Sequence, residues 1–114
     1  MPVKPVRLKT CPRDPGSSLT RQIEALADGH ARVMLKRERP WASITFAGTR
    51  HSFAIDWQGA VDPDEIQKLA EALPDHEFSI PGHFVADILV TDQSEMRLLV
   101  EALSIIDPLE NARD

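Results

Sequence analysis

Apolar and polar residues alternate with a period of two over residues 41–57, which is the pattern of a half-buried β-hairpin. Gly48 and Thr49 lie at the centre of this stretch, and a glycine suits the first central position of a type II′ turn because that position needs a positive φ. The turn predicts one apolar face that packs on the core. The residues predicted on that face are Ala42, Ile44, Phe46, Phe53, Ile55 and Trp57.

Two further stretches repeat apolar residues at the spacing of an amphipathic helix. The first is predicted over residues 18–28, with Ser17 or Ser18 as its N-cap. The second is predicted to begin at Asp62, where a capping aspartate is followed by a proline at the first helical position. Each helix has one apolar stripe, so both helices are expected to pack on a sheet.

Four more short stretches are predicted as strands, from alternating apolar residues or from apolar runs with β-branched residues. They cover residues 31–39, 77–80, 83–91 and 97–106. Residues 94–103 also keep helical spacing, but the apolar run continues through two isoleucines and favours a strand. The element order α-β-β-β-α-β-β-β predicts an α+β fold, in which an antiparallel sheet of five to six strands carries two helices.

The second predicted hairpin, residues 83–106, is apolar on both faces. In the register that best matches its apolar residues Val90 lies opposite Leu98, although a register two residues away matches almost as well. Monomers rarely expose large apolar patches, so either another layer, such as the first helix, or a second copy of the chain covers the second face. We predict a dimer interface there, formed by Val85, Leu89, Leu99, Leu103 and Ile105.

Three titratable side chains of this hairpin form the first candidate site. His83 and Asp87 share one face of a strand if the strand is regular, and Glu101 lies opposite Asp87 in the preferred register. Facing carboxylates repel each other and often act as an acid/base pair or bind a cation, so these three residues are the catalytic candidates. The alternative is that they are exposed acids at the rim of the sheet.

Arg50 and His51 form the second candidate site, because they follow the predicted turn and are suited to bind an anion at the hairpin tip. The alternative is a half-buried histidine whose ring bonds to the backbone. The chain contains none of the common nucleotide-binding, hydrolase or zinc-binding motifs, so no cofactor and no metal is predicted.

Composition narrows the class of protein further. The 114-residue chain has a formal net charge of -5, which makes nucleic acid an unfavourable main partner. Its single cysteine, Cys11, and its lack of a long apolar run predict a cytoplasmic protein without membrane contact. Residues 1–17 are predicted as a flexible, basic, Pro-rich tail, residues 18–107 as a single α+β domain and residues 108–114 as a frayed end.

The two-faced hairpin leads to our main functional prediction. The chain is expected to be a non-enzymatic protein-protein interaction module that forms a homodimer, with a further protein partner as a secondary expectation. The first alternative is a small enzyme or a ligand-binding or metal-binding domain that uses His83, Asp87 and Glu101. The second alternative is weak nucleic-acid binding through the basic tail and the first strand.

Overall fold

The structure is a computed structural model that describes residues 14–59 and 61–111 of the chain. Within these residues, four antiparallel strands form one sheet in the order β1-β2-β4-β3, and two helices pack on one of its faces. The elements in chain order are α1 (Pro15–Leu26), β1 (Ala31–Ala42), β2 (Ala47–Trp57), α2 (Pro63–Ala72), a 3₁₀ turn (Leu73–Asp75), β3 (His83–Gln93), β4 (Arg97–Ile106) and a short helical turn (Pro108–Asn111).

The predicted α+β class, the antiparallel sheet and the two helices are confirmed. The prediction of five to six strands in an order of eight elements is wrong, because two expected strands do not form separately. Residues 77–80 contribute only an isolated bridge between Ile80 and His83. The basic stretch does not end at Pro40 but continues as one strand to Ala42. Because β1 is an edge strand, a proline there need not remove a hydrogen bond from the sheet.

The predicted turn at Gly48 and Thr49 is also wrong, since both residues lie inside β2. The chain turns instead over residues 43–46, where the Ser43 backbone N–H donates to the Phe46 carbonyl at 2.8 Å. Gly48 pairs with Ile105 of β4, and a Cβ atom on Gly48 would collide with the backbone carbonyl of Ser104. The glycine therefore permits close approach of two strands and does not shape a turn.

The hydrophobic core lies between the helices and one face of the sheet. Leu19 and Ile23 of α1 and Ile66 and Leu69 of α2 are buried there. The sheet residues buried in the same cluster are Val33, Phe53, Ile55, Trp57, Ile88, Leu98, Val100 and Ala102. The prediction that Phe53, Ile55 and Trp57 share the core face is thus confirmed, whereas Ile44 is fully exposed in the turn.

Both helices begin at a capping aspartate. Asp62 accepts a hydrogen bond from the Asp64 backbone N–H at 3.0 Å, as predicted for α2. In α1 the cap is Asp14 and not one of the predicted serines, because Pro15 already suits the first helical position. Residues 15–17, assigned to the flexible tail from sequence, therefore form the first turn of α1, while the rest of that predicted tail up to residue 13 lies outside the described residues.

The second hairpin has the alternative register, two residues from the preferred one. Val90 pairs with Val100, and Ile88 pairs with Ala102. A bulge at Ala86 interrupts the alternation of β3, so that Val85 faces the helices together with Ile88. The expectation that Val85 lies on the second, outer face is therefore wrong. Within the described residues, no helix is long and apolar enough to cross a membrane.

Candidate functional site

A buried polar network joins three strands beneath the first turn of α1. The imidazole of His51 on β2 lies between the Glu38 carboxylate of β1 and the Ser104 hydroxyl of β4. The distances from Nδ1 to Glu38 Oε2 and from Nε2 to Ser104 Oγ are both 2.8 Å. His51 and Ser104 are fully buried. Glu38 reaches the network because it pairs directly with His51 across β1 and β2.

The partners of His51 determine its tautomer. An ionised Glu38 only accepts hydrogen bonds, so Nδ1 carries the proton and Nε2 accepts from the Ser104 hydroxyl. The order carboxylate, imidazole, hydroxyl is also that of nucleophilic catalytic triads. Here, however, the Ser104 side chain is completely buried, so its hydroxyl is not accessible from the surface of the chain. The network satisfies buried polar atoms and specifies how the three strands pair.

The first turn of α1 covers this network on the helix side of the sheet. A Cβ atom on Gly16 would collide with the Glu38 carboxylate, so the helix start lies directly against that side chain. The positive end of a helix dipole favours a nearby ionised carboxylate. Asp14, the N-cap of α1, contributes a second negative charge, and its hydrogen bonds from Ser17 lower the pKa of its carboxyl group. The start of α1 therefore packs against the Glu38 end of the network.

Burial is the largest influence on the proton affinity of His51, and it lowers the pKa of the imidazole below its ordinary value of 6.5. The carboxylates of Glu38 and Asp14 oppose this shift because they stabilise a positive ring. His83 on β3, the other titratable group that faces the ring, adds to the lowering. The folded protein therefore holds His51 in its neutral form near pH 7.

We expect this lowered pKa to make the fold less stable in mild acid. Above pH 6.5 His51 is neutral in both the folded and the unfolded chain, so its full contribution is present. As the pH falls below 6.5, the unfolded chain takes up a proton that the folded chain resists, and stability decreases by at most about 1.4 kcal/mol per pH unit. Urea unfolding at a series of pH values between 7.5 and 5 measures this, with H51L as the comparison.

In H51L the part of the acid-induced loss of stability that is due to residue 51 should disappear. The pH dependence that comes from the other titratable groups should remain. An identical pH dependence of the free energy of unfolding in both proteins would contradict the assignment to His51.

The first predicted site is not assembled as expected. Asp87 pairs with Leu103, and Glu101 pairs with Leu89, so the predicted direct pair of carboxylates is wrong. The bulge at Ala86 also places His83 on the helix side of the sheet, opposite to the two acids. His83 Nδ1 donates to the Pro81 carbonyl at 2.9 Å. Among the residues that the structure describes, no three His, Cys, Asp or Glu side chains are grouped to hold a metal ion.

The second predicted site is divided between the two faces of the sheet. Arg50 and His51 are neighbours in β2, so their side chains point in opposite directions. Neither residue lies at the hairpin tip, which is formed by residues 43–46. His51 is fully buried rather than half-buried, and it bonds to side chains and not to the backbone. The structure therefore does not bring Arg50 and His51 together as an anion site.

We use the term open face for the side of the sheet that faces away from α1 and α2. Its apolar residues are Met34 and Trp41 of β1, Ala54 of β2, Leu99, Leu103 and Ile105 of β4, and Phe84 and Leu89 of β3. Leu103 and Ile105 are only 7% and 3% exposed within one chain, whereas Leu89 is 49% exposed and Phe84 is 40% exposed. The most exposed apolar side chains of the open face thus lie on β3.

Charged side chains of opposite sign occupy opposite sides of the open face. Apart from one ion pair, the basic residues are Arg32, Arg37 and Arg39 of β1 and Arg50 of β2, and the acidic residues are Asp87 and Asp92 of β3 and Glu101 of β4. Within residues 14–59 and 61–111, none of these seven side chains forms an ion pair. The exception to the division is the pair of Arg97 and Asp56, with a shortest N–O distance of 2.5 Å, which links two neighbouring strands at one end of the face.

A cleft of about 560 Å³ lies on the other side of the molecule, between the end of α1 and the start of α2. His30 and Glu65 line it and approach each other to 3.4 Å, with both side chains about half exposed. Arg32 and Asp62 complete its polar wall. His30 and Glu65 are solvated, and within the described residues the cleft has no cluster of three side chains placed to hold a metal ion.

Comparison with known proteins adds no assignment to these features. No protein-family model matches the chain, and the searches of curated proteins and solved structures found no match.

Proposed function

We propose that the protein is a non-enzymatic interaction module that self-associates through the open face of its sheet. The observation that carries this proposal is the accessible apolar surface around Leu89, on a side of the sheet that neither α1 nor α2 covers. An antiparallel sheet with one packed face usually presents polar residues on the other face. Here Leu89, Leu99 and Phe84 interrupt that pattern.

The size of the open face suits a dimer of small domains. Four strands at about 4.8 Å spacing, each with about ten residues that rise about 3.3 Å, cover roughly 600 Å². Two such faces would bury about 1,200 Å² in total, which is at the lower end of the range for specific protein interfaces. Packing two sheets face to face would therefore give a dimer of moderate affinity.

Some residues of the interface predicted from sequence are already buried within one chain. This changes which residues can contribute to association. Leu103 and Ile105 are already buried within one chain, so they gain little on association. Leu89 and Leu99 keep accessible surface and would contribute most of the apolar contact. Covering an exposed leucine contributes about 25 cal/mol for each Å² of apolar surface removed from water.

Replacing Leu89 with lysine is the most direct test of this proposal. Leu89 is 49% exposed in the single chain, so L89K should fold normally but place a positive charge in the interface. We expect the dimer dissociation constant to increase by about 100-fold or more, because burying a charge in an apolar contact costs several kcal/mol. Sedimentation equilibrium of the full chain measures the constant.

L109K is the matched control, because Leu109 is 81% exposed and lies beyond the last strand of the sheet. It should leave the dissociation constant unchanged. A wild-type chain that stays monomeric over the whole accessible concentration range would overturn the proposal, as would an equal loss of association in both variants.

The two alternative functions receive less support from the geometry. An enzyme that uses His83, Asp87 and Glu101 requires these groups on one face, whereas the register separates His83 from the acids. Nucleic-acid binding through the basic first strand would bring phosphates close to the acids of the same open face, which would repel them. We retain a cytoplasmic location as part of the proposal, because the chain has a single cysteine.

A further inference from the structure

The distribution of positive and negative side chains on the open face indicates which partner binds there and in which orientation. Arg37, Arg39 and Arg50 lie on the β1–β2 side, and Asp87, Asp92 and Glu101 lie on the β3–β4 side. Within the described residues these charges are not paired with each other. A surface divided in this way is complementary to a copy of itself, because the same patch supplies both signs.

We infer that the partner is a second copy of this chain, docked about a two-fold axis that runs along the strands in the plane between the two open faces. This inference rests on the proposed self-association. Such an axis exchanges the left and right sides of the sheet and preserves the strand direction. It therefore places the β1–β2 side of one copy over the β3–β4 side of the other, so that the basic side of each copy faces the acidic side of its partner.

The rows of the sheet indicate which groups meet. Arg39, Arg50, Leu103 and Asp87 form one continuous row across the four strands. Rotation about an axis along the strands keeps each row at the same height, so Arg39 of one copy comes to lie over Asp87 of the second copy. The next row contains Arg37 at one end and Leu89 at the other, so the aliphatic part of an arginine covers the exposed leucine.

The other symmetric arrangement has the opposite electrostatics. A two-fold axis that runs across the strands would place β1 over β1 and β3 over β3. Arg37 and Arg39 would then face the same arginines of the second copy, and Asp87 and Asp92 would face the same aspartates. Like charges placed against each other in an interface strongly disfavour association. The charge pattern thus selects one of the two orientations.

A charge-exchange experiment tests the orientation separately from self-association itself. The two variants are R37E/R39E, which makes both sides of the face acidic, and D87K/D92K, which makes both sides basic. All four side chains are exposed in the single chain, so both variants should fold. Circular dichroism and urea unfolding check this, and sedimentation equilibrium at low salt measures association.

Each variant alone should dimerise about 100-fold more weakly than the wild type, because both of its symmetric contacts become repulsive. An equimolar mixture of the two variants should associate again, since both contacts of the mixed dimer join an acidic side to a basic side. The quadruple variant R37E/R39E/D87K/D92K should likewise recover self-association. The matched control R21E/K68E reverses two exposed charges in the helix layer and should dimerise like the wild type.

The possible results separate the two proposals. A wild-type dimer that neither charge variant weakens would overturn the inferred orientation and leave self-association standing. A wild-type dimer that both variants weaken, without recovery in the mixture, would also overturn the orientation. A wild-type chain that is as monomeric as L89K would overturn the proposed function and the inference that rests on it.

Discussion

Replacing His51 with alanine is expected to lower the free energy of unfolding by about 3–5 kcal/mol. The ring is fully buried, stacks near Phe53 with a centroid distance of 6.1 Å and bonds through both nitrogens. Its removal leaves a cavity, for which truncation of large buried side chains typically costs about 2–5 kcal/mol. It also leaves the buried Ser104 hydroxyl without its partner, which adds about 1–3 kcal/mol. Urea unfolding of the two proteins at pH 7 measures the difference.

Two further variants separate the loss of volume from the loss of hydrogen bonds. H51L keeps most of the volume and should cost about 1–3 kcal/mol, because Ser104 remains unpaired. H51L/S104A removes both polar groups and should recover much of that loss, since an apolar pair of similar shape is close to neutral. H76A is the control, because His76 is exposed on the loop before β3. A double variant no more stable than H51L would contradict the role of the hydroxyl.

The two helices and the core side of β2 were predictable because local signals determine them. The cap at Asp62 followed by proline fixes the start of α2, and period-two alternation fixes the core side of β2 from Phe53 to Trp57. Neither signal depends on distant parts of the chain. The register of the second hairpin was ambiguous by two residues, because shifting the apolar pattern by one full period gives nearly the same match.

The candidate site was not predictable from alternation, because β-bulges shift the side chains on which it depends. In a regular strand Glu38 would point away from the face of Val33 and Leu35, but the bulge between Leu35 and Arg37 turns it towards His51. The bulge at Ala86 separates His83 from Asp87 in the same way. Ser104 provides a weak sequence signal for the buried network, since a single polar residue in an apolar strand often marks a buried hydrogen bond.

Gly48 shows how one residue type supports two structural interpretations. In the sequence it stands between two apolar runs, where glycine is typical of a tight turn. In the structure it is a central strand position at which β4 approaches closely, so the missing Cβ and not a positive φ explains the glycine. The two explanations predict different effects on stability when a methyl group is added at position 48.

Replacing Gly48 with alanine is expected to destabilise the fold by about 2–3 kcal/mol, although alanine is ordinarily better than glycine in a strand by about 0.5–1 kcal/mol. The added Cβ would collide with the Ser104 carbonyl and approach the Ile105 Cα to 3.0 Å. These are backbone atoms of a paired central strand, so they cannot move without weakening the β2–β4 ladder and the hydrogen bond from Ser104 to His51. Urea unfolding at pH 7 measures the loss.

S52A is the matched control for Gly48, because Ser52 lies on the same strand and the same face and is partly exposed. It should change the free energy of unfolding by less than about 0.5 kcal/mol. If Gly48 were instead a turn residue, a Cβ atom at this position would meet no backbone atoms of β4. G48A would then be nearly neutral or would alter only the hairpin tip. An unchanged stability in G48A would therefore contradict the close approach of β2 and β4, and with it the strand pairing that positions Ser104 beside His51 and sets the rows of the open face.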